Sequence, residues 1–168
     1  MNDNPTAHSD LLVTASIFND NSKYVTGSDD QNVKIWQMSD NTLLQTLSYS
    51  DIILNVGLHP VTNQMFVLVF DGTISVVDPV SLTETTSFTH PTGNANYIVF
   101  DIVDDSFILV GYDGAGVSPC YHVYNLTTLA FIRTVTITGF PSGDEVFVCS
   151  LSKDRTELAM INAGDATS

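Results

Sequence analysis

Residues 8–36 read HSDLLVTASIFNDNSKYVTGSDDQNVKIW. An apolar stretch from Val13 closes on Phe18 and runs into the polar turn Asn19-Asp20-Asn21-Ser22. A second stretch spans Lys23 to Gly27, and the aspartate turn Ser28-Asp29-Asp30 leads into Val33 to Gln37. Within that last segment Val33, Ile35 and Gln37 alternate with Lys34 and Trp36, the period-two pattern of a β-strand. A further strand, Leu43 to Leu47, completes a unit of four short strands joined by turns.

The unit recurs. A second copy runs from Leu54 to Leu58, Met65 to Phe70, Thr73 to Val77 and Leu82 to Phe88. A third runs from Tyr97 to Ile102, Phe107 to Gly111, Tyr121 to Tyr124 and Ala130 to Ile137, and a fourth begins with Glu145 to Leu151 and Glu157 to Asn162. The residues closing the first strands, Phe18, Leu58, Phe100 and Leu151, are spaced by 40, 42 and 51 positions. Four strands every 40–45 residues, with insertions at 114–120 and 138–144, are the pattern of β-propeller blades. The predicted fold is all-β: about three and a half four-stranded antiparallel blades, at approximately 8–47, 51–88, 90–137 and 140–168. The last copy breaks off before its third strand, so the reading expects an incomplete ring, closed by further blades or a second chain; open flanks and strand edges would otherwise stay exposed.

Composition agrees. Of 168 residues, 43% are hydrophobic and the mean hydropathy is +0.16, ample for a packed core. Sixteen aspartates stand against three glutamates and three lysines, which suits turns and starves amphipathic helices. With five Lys and Arg the net charge is −14, and no basic cluster exists for nucleic acid or an anionic membrane. The longest apolar run, Met65 to Phe70, is far short of a membrane span. The first ten residues carry no basic-then-apolar pattern, so the expected location is cytoplasmic.

The stretch from Ala7 to Asp10 together with FNDNSKYVTGSDDQNVKIW (18–36) resembles a blade of the Trp-Asp (WD) repeat propellers. The resemblance implies a hydrogen-bonded network of His8, Thr26, Asp30 and Trp36, since a buried indole N–H and an imidazole both need partners. Ala7 stands where that family usually has Gly, Gln37 follows Trp36 in place of Asp, and one extra residue precedes Phe18. The second blade keeps Asp71 and Asp78 but has Val67 and Val77 at the Thr and Trp positions. The third keeps His90 and Asp113, with Leu109 and Tyr124-Asn125. On this reading only the first blade completes the network and apolar packing holds the others. The second blade is also similar to the Tyr-Val-Thr-Asn repeats of microbial propellers.

No catalytic constellation emerges. Cys120 and His122 alternate on one strand face, but no further pair stands at ligand spacing, so neither metal nor cofactor is predicted. The Asp-containing turns lack the ligand pattern of a calcium loop. Gly111 to Gly116 is followed by no helix and no Lys-Ser/Thr, and no serine elbow is in register. The predicted role is a non-catalytic protein-interaction scaffold. Family likeness points to the loops between blades and those joining second to third strands, with Tyr49, His90, Tyr112 and Phe140 as candidate partner-binding residues. The charge favours basic protein partners. The competing expectation is part of a lactonase-like or quinoprotein-like enzyme propeller whose active-site residues lie mostly elsewhere.

Overall fold

A computed structural model describes residues 7–90, 95–101, 105–112, 119–136, 145–152 and 158–163. Among these described residues fourteen strands follow one another: β1 Leu12–Ile17, β2 Lys23–Ser28, β3 Asn32–Gln37, β4 Leu43–Ser48, β5 Ile53–Leu58, β6 Met65–Val69 and β7 Thr73–Val77. After them come β8 Glu84–Thr89, β9 Ala95–Asp101, β10 Ser106–Tyr112, β11 Pro119–Asn125, β12 Phe131–Thr136, β13 Glu145–Leu151 and β14 Leu158–Ala163. They form three four-stranded antiparallel sheets, β1–β4, β5–β8 and β9–β12, each in sequence order, and a two-stranded sheet of β13 and β14. No helix occurs among the described residues, and none is long and apolar enough to cross a membrane. The chain divides into two compact units, Met1–Thr89 and His90–Ser168.

The repeat is visible in the backbone at single-residue detail. Tyr24 pairs with Trp36, Met65 with Val77, and Phe107 with Tyr124, which aligns the second and third strands of the three complete sheets. Every first strand carries an irregularity at the same place: between Leu12 and Thr14, Ile53 and Asn55, Ala95 and Tyr97, and Val146 and Val148. Each irregularity leaves one first-strand residue unpaired, a bulge shared by the four sheets. The counterpart of Leu58 and Phe100 is Ile17, paired with Tyr24, so the expected anchor Phe18 lies one residue further on and corresponds to His59. Each fourth strand bulges too, opposite Trp36, Val77 and Tyr124. The hairpins leading to the fourth strands are superimposable in their bonding. Gln37 N–H donates to Thr42 O and Asn41 N–H to Gln37 O; Asp78 with Thr83 and Leu82, and Asn125 with Ala130 and Leu129, repeat both bonds at 2.8–3.0 Å.

That hairpin demands one left-handed residue, and Asn41, Leu82 and Leu129 supply it with φ of 58°, 56° and 58°. Asparagine tolerates this region, whereas leucine does so under strain. It also corrects the expected start of the second blade's last strand: Leu82 lies in the turn, pinned by its bond to Asp78, and the strand begins at Glu84. Similarly, Tyr112 ends β10 opposite Pro119 and belongs to a strand where a loop was expected.

In the first unit the core joins Phe18, Val25, Val33 and Ile35 to Ile53, Val56, Met65, Val67, Val69 and Val77. All five residues of β6 are buried, as expected for an apolar strand covered on both faces. Where β6 has Leu68, β2 has Gly27, and a Cβ there would meet Ile53 Cγ2 at 2.7 Å and Thr14 Cγ2 at 2.8 Å. Hydroxyls stitch the same seam: Ser16 donates to Val56 O (3.0 Å) and Thr14 accepts from Val56 N–H (3.4 Å). Gly27→Ala should therefore lower the unfolding free energy by about 1–3 kcal/mol, read from urea denaturation. Gln31 (φ 67°) occupies the turn position where the second sheet has Gly72 (φ 86°). Gln31→Gly should raise stability by up to about 1 kcal/mol in the same assay.

Candidate functional site

The four residues singled out in the first blade meet in one chain of hydrogen bonds. Trp36 Nε1–H donates to Thr26 Oγ1 at 2.8 Å, Thr26 Oγ1 lies 2.8 Å from His8 Nε2, and His8 Nδ1 lies 2.9 Å from Asp30 Oδ2. One set of protons satisfies every member: the indole donates to the hydroxyl, the hydroxyl to Nε2, and Nδ1–H to the carboxylate. Each strand contributes for a reason. Trp36 and Thr26 lie on adjacent strands two residues apart in register, because Trp36 pairs with Tyr24 and Thr26 with Lys34. The Tyr24 and Trp36 rings stack at 6.0 Å, which orients the indole. Asp30 closes the turn after β2, where its carboxylate also accepts Ser9 N–H (2.9 Å) and Asn32 N–H (3.0 Å).

Burial pushes the Asp30 carboxyl up, but the bonds from Ser9, His8 and Asn32 outweigh it and hold the group below its ordinary value. The side chains of His8 and Asp30 are only 7% and 5% exposed, so this is an internal lock, with no face offered to a ligand.

The second sheet departs from the expectation that apolar packing alone holds it. Tyr49 precedes Ile53 by the same four residues that separate His8 from Leu12, so it occupies the histidine position. Its hydroxyl donates to Ser75 Oγ at 3.2 Å, and Ser75 donates to Glu84 Oε2 at 2.5 Å. Ser75 is fully buried, on the strand corresponding to that of Trp36. Burial first, then the charge of Glu84, push the Tyr49 phenol up to about 12, with the Ser75 bond opposing. Beside it Ser50 donates to Asp71 Oδ2 at 2.6 Å, replacing the backbone contact of Ser9 with Asp30. Tyr49, expected to face a partner, is partly buried against the core and tied to the blade through its hydroxyl.

The third sheet uses a shorter route. Tyr124 stands at the Trp36 position and stacks on Phe107 (5.2 Å, 12°), as Trp36 does on Tyr24. Its phenol, whose oxygen reaches further from the backbone than an indole nitrogen, meets His90 Nδ1 directly at 2.6 Å. His90 is 5% exposed, so this partner-binding candidate is internal. Burial pushes the Tyr124 phenol up to about 12. Next to this pair, His122 Nδ1 lies 2.9 Å from Thr134 Oγ1 and its Nε2 lies 3.2 Å from Cys120 Sγ; the His90 and His122 rings are 4.2 Å apart. Cys120 and His122 are fully buried. Among the described residues no group of three or more His, Cys, Asp or Glu is arranged to hold a metal ion. Asp113 and Phe140 lie outside the described residues.

Turn carboxylates and amides act as caps. Asp105 accepts from Asn125 Nδ2 (3.0 Å) and from Thr127 Oγ1 (2.9 Å), clasping two turns of the third sheet. What the sequence reading missed are Ser75, Glu84 and Thr134, short polar residues on strands with no motif of their own. The equal offset of Tyr49 and His8 from their strands was the available signal. Exposed apolar side chains at the loop end of the first unit are Leu11 (66%) and Phe70 (46%).

No known family profile matches the sequence. A stretch of 65 residues is 34% identical to the ribosome biogenesis protein BOP1 homolog of Aedes aegypti, covering 39% of this chain and 8% of that protein. In three dimensions the chain resembles hydrazine synthase of Kuenenia stuttgartiensis, a propeller-like structure, with a TM-score of 0.80 and 8% identity over 90% of this chain and 43% of that one. The chain therefore spans less than half of that solved structure and under a tenth of that relative. The likeness in coordinates establishes the fold: an all-β chain of propeller-type blades.

Three outcomes test the first-blade lock. Thr26→Val should cost about 1–3 kcal/mol in chemical denaturation, because it strands the indole N–H and the imidazole. Adding Trp36→Phe should cost less than the sum of the two single changes. Because the folded-state Asp30 carboxyl titrates below its unfolded value, its stabilisation is complete above about pH 4 and is lost as pH falls through the lower folded value. The stability gap between the natural protein and Asp30→Asn should therefore be widest near neutrality and shrink below pH 4.

Proposed function

We propose that the chain is a segment of a WD-repeat-type propeller acting as a non-catalytic, intracellular protein-interaction scaffold. The carrying observation is the complete His8–Thr26–Asp30–Trp36 chain, with its turn aspartate and stacked Tyr24. A sheet locked this way is a rigid support that leaves its loops free to vary. The partial likeness to a ribosome biogenesis protein supports the same reading. The loops before β1 and β5, and those between β2 and β3 and between β6 and β7, lie at one end of the first unit. They carry Asp10, Asp29, Asp51 and Asp71 with Leu11 and Phe70, and contain no lysine or arginine. Apolar anchors rimmed by acid suit a partner segment with basic residues around an apolar one. The exposed Leu11 and Phe70 join the partly exposed Tyr49 as contacting side chains, in place of the buried His90. Remaining blades of a longer polypeptide, or a second chain, complete the ring.

A second reading is supported by the structural likeness to an enzyme, hydrazine synthase: this segment would then be part of an enzyme propeller, lactonase-like or quinoprotein-like, with its reacting groups mostly in other blades.

The two readings separate on the full-length protein. Metal analysis combined with a lactone-hydrolysis assay should give neither stoichiometric metal nor turnover; finding both would overturn the scaffold. For the scaffold itself, a fluorescent peptide alternating Lys and Leu should bind at low salt and weaken as salt rises. Phe70→Ser with Asp29→Asn should weaken that binding at least tenfold while leaving the denaturation midpoint in place. Equal binding of the variant would remove this end of the first unit as the interface.

A further inference from the structure

We draw no further inference here: the strongest candidate, the flank of the first sheet where Leu12 is 52% and Ile17 58% exposed although Ile53, the second-sheet counterpart of Leu12, is fully buried, is an apolar face of which nothing in the structure shows what covers it.

Discussion

A buried indole N–H governs the interior of the first sheet. Trp36 is only 6% exposed, too deep for water to serve its nitrogen, and an unsatisfied donor at that depth costs about 1–3 kcal/mol. A neighbouring strand must therefore present an acceptor two registers away, and Thr26 does. A threonine hydroxyl has one proton to place as well, which calls for His8, and the second imidazole nitrogen calls for Asp30. Each partner answers a need created by the one before. The result ties β2, β3, the turn between them and the segment leading into β1 into one unit.

The other two sheets show that the requirement belongs to the position more than to the residue type. Where β6 has Val67 and β7 has Val77, no indole needs an acceptor, and the polar chain moves outward to Tyr49, Ser75 and Glu84. In the third sheet Tyr124 brings its own oxygen to His90, so the threonine becomes dispensable and leucine can stand at 109. The segment before each first strand supplies a polar side chain in all three cases: His8, Tyr49 and His90. What is retained is a bond from that segment to the third strand, directly or through one hydroxyl, which fixes how the chain enters each blade.

Strand order, the period of about 40 residues and the first-blade network were legible because each rests on a local pattern: alternation, turn residues at fixed offsets, and four residue types whose chemistry is mutually demanding. Bulge positions were not, since the extra residues Val13 and Leu54 look like ordinary strand members and their displacement is set by pairing across the sheet. Leu82 read as strand because leucine seldom enters left-handed turns; the bonds of Asp78 to Thr83 and Leu82 override that preference. Tyr49 read as a surface aromatic because a loop tyrosine usually is one. Its partial burial comes from packing on the core, and its hydroxyl bonds to Ser75 and through it to Glu84, which are distant in sequence and belong to no recognisable motif. Single polar residues on strands carry no periodic signal, so networks built from them emerge only from coordinates.

The two sheets of the first unit also divide the work of stabilisation differently. At equivalent positions β2 has Thr26-Gly27-Ser28 where β6 has Val67-Leu68-Val69. The second sheet thus gains apolar burial, at about 25 cal/mol per Å² of surface removed from water, from a strand that is covered on both faces. The first sheet forgoes much of that gain at these positions. Gly27 is small because Ile53 occupies the space, so the seam between the sheets is filled by side chains of one sheet entering the backbone of the other. A strand that yields its volume to a neighbour must be held by something directional, and hydrogen bonds from Thr26 and Ser28 provide it: Ser28 reaches Asp10 O at 3.2 Å and receives Asp30 N–H at 3.1 Å. The His8–Thr26–Asp30–Trp36 lock and the glycine beside it are in this sense one feature. The polar chain is present where close packing against the next blade has removed the apolar side chains that would otherwise hold the strand.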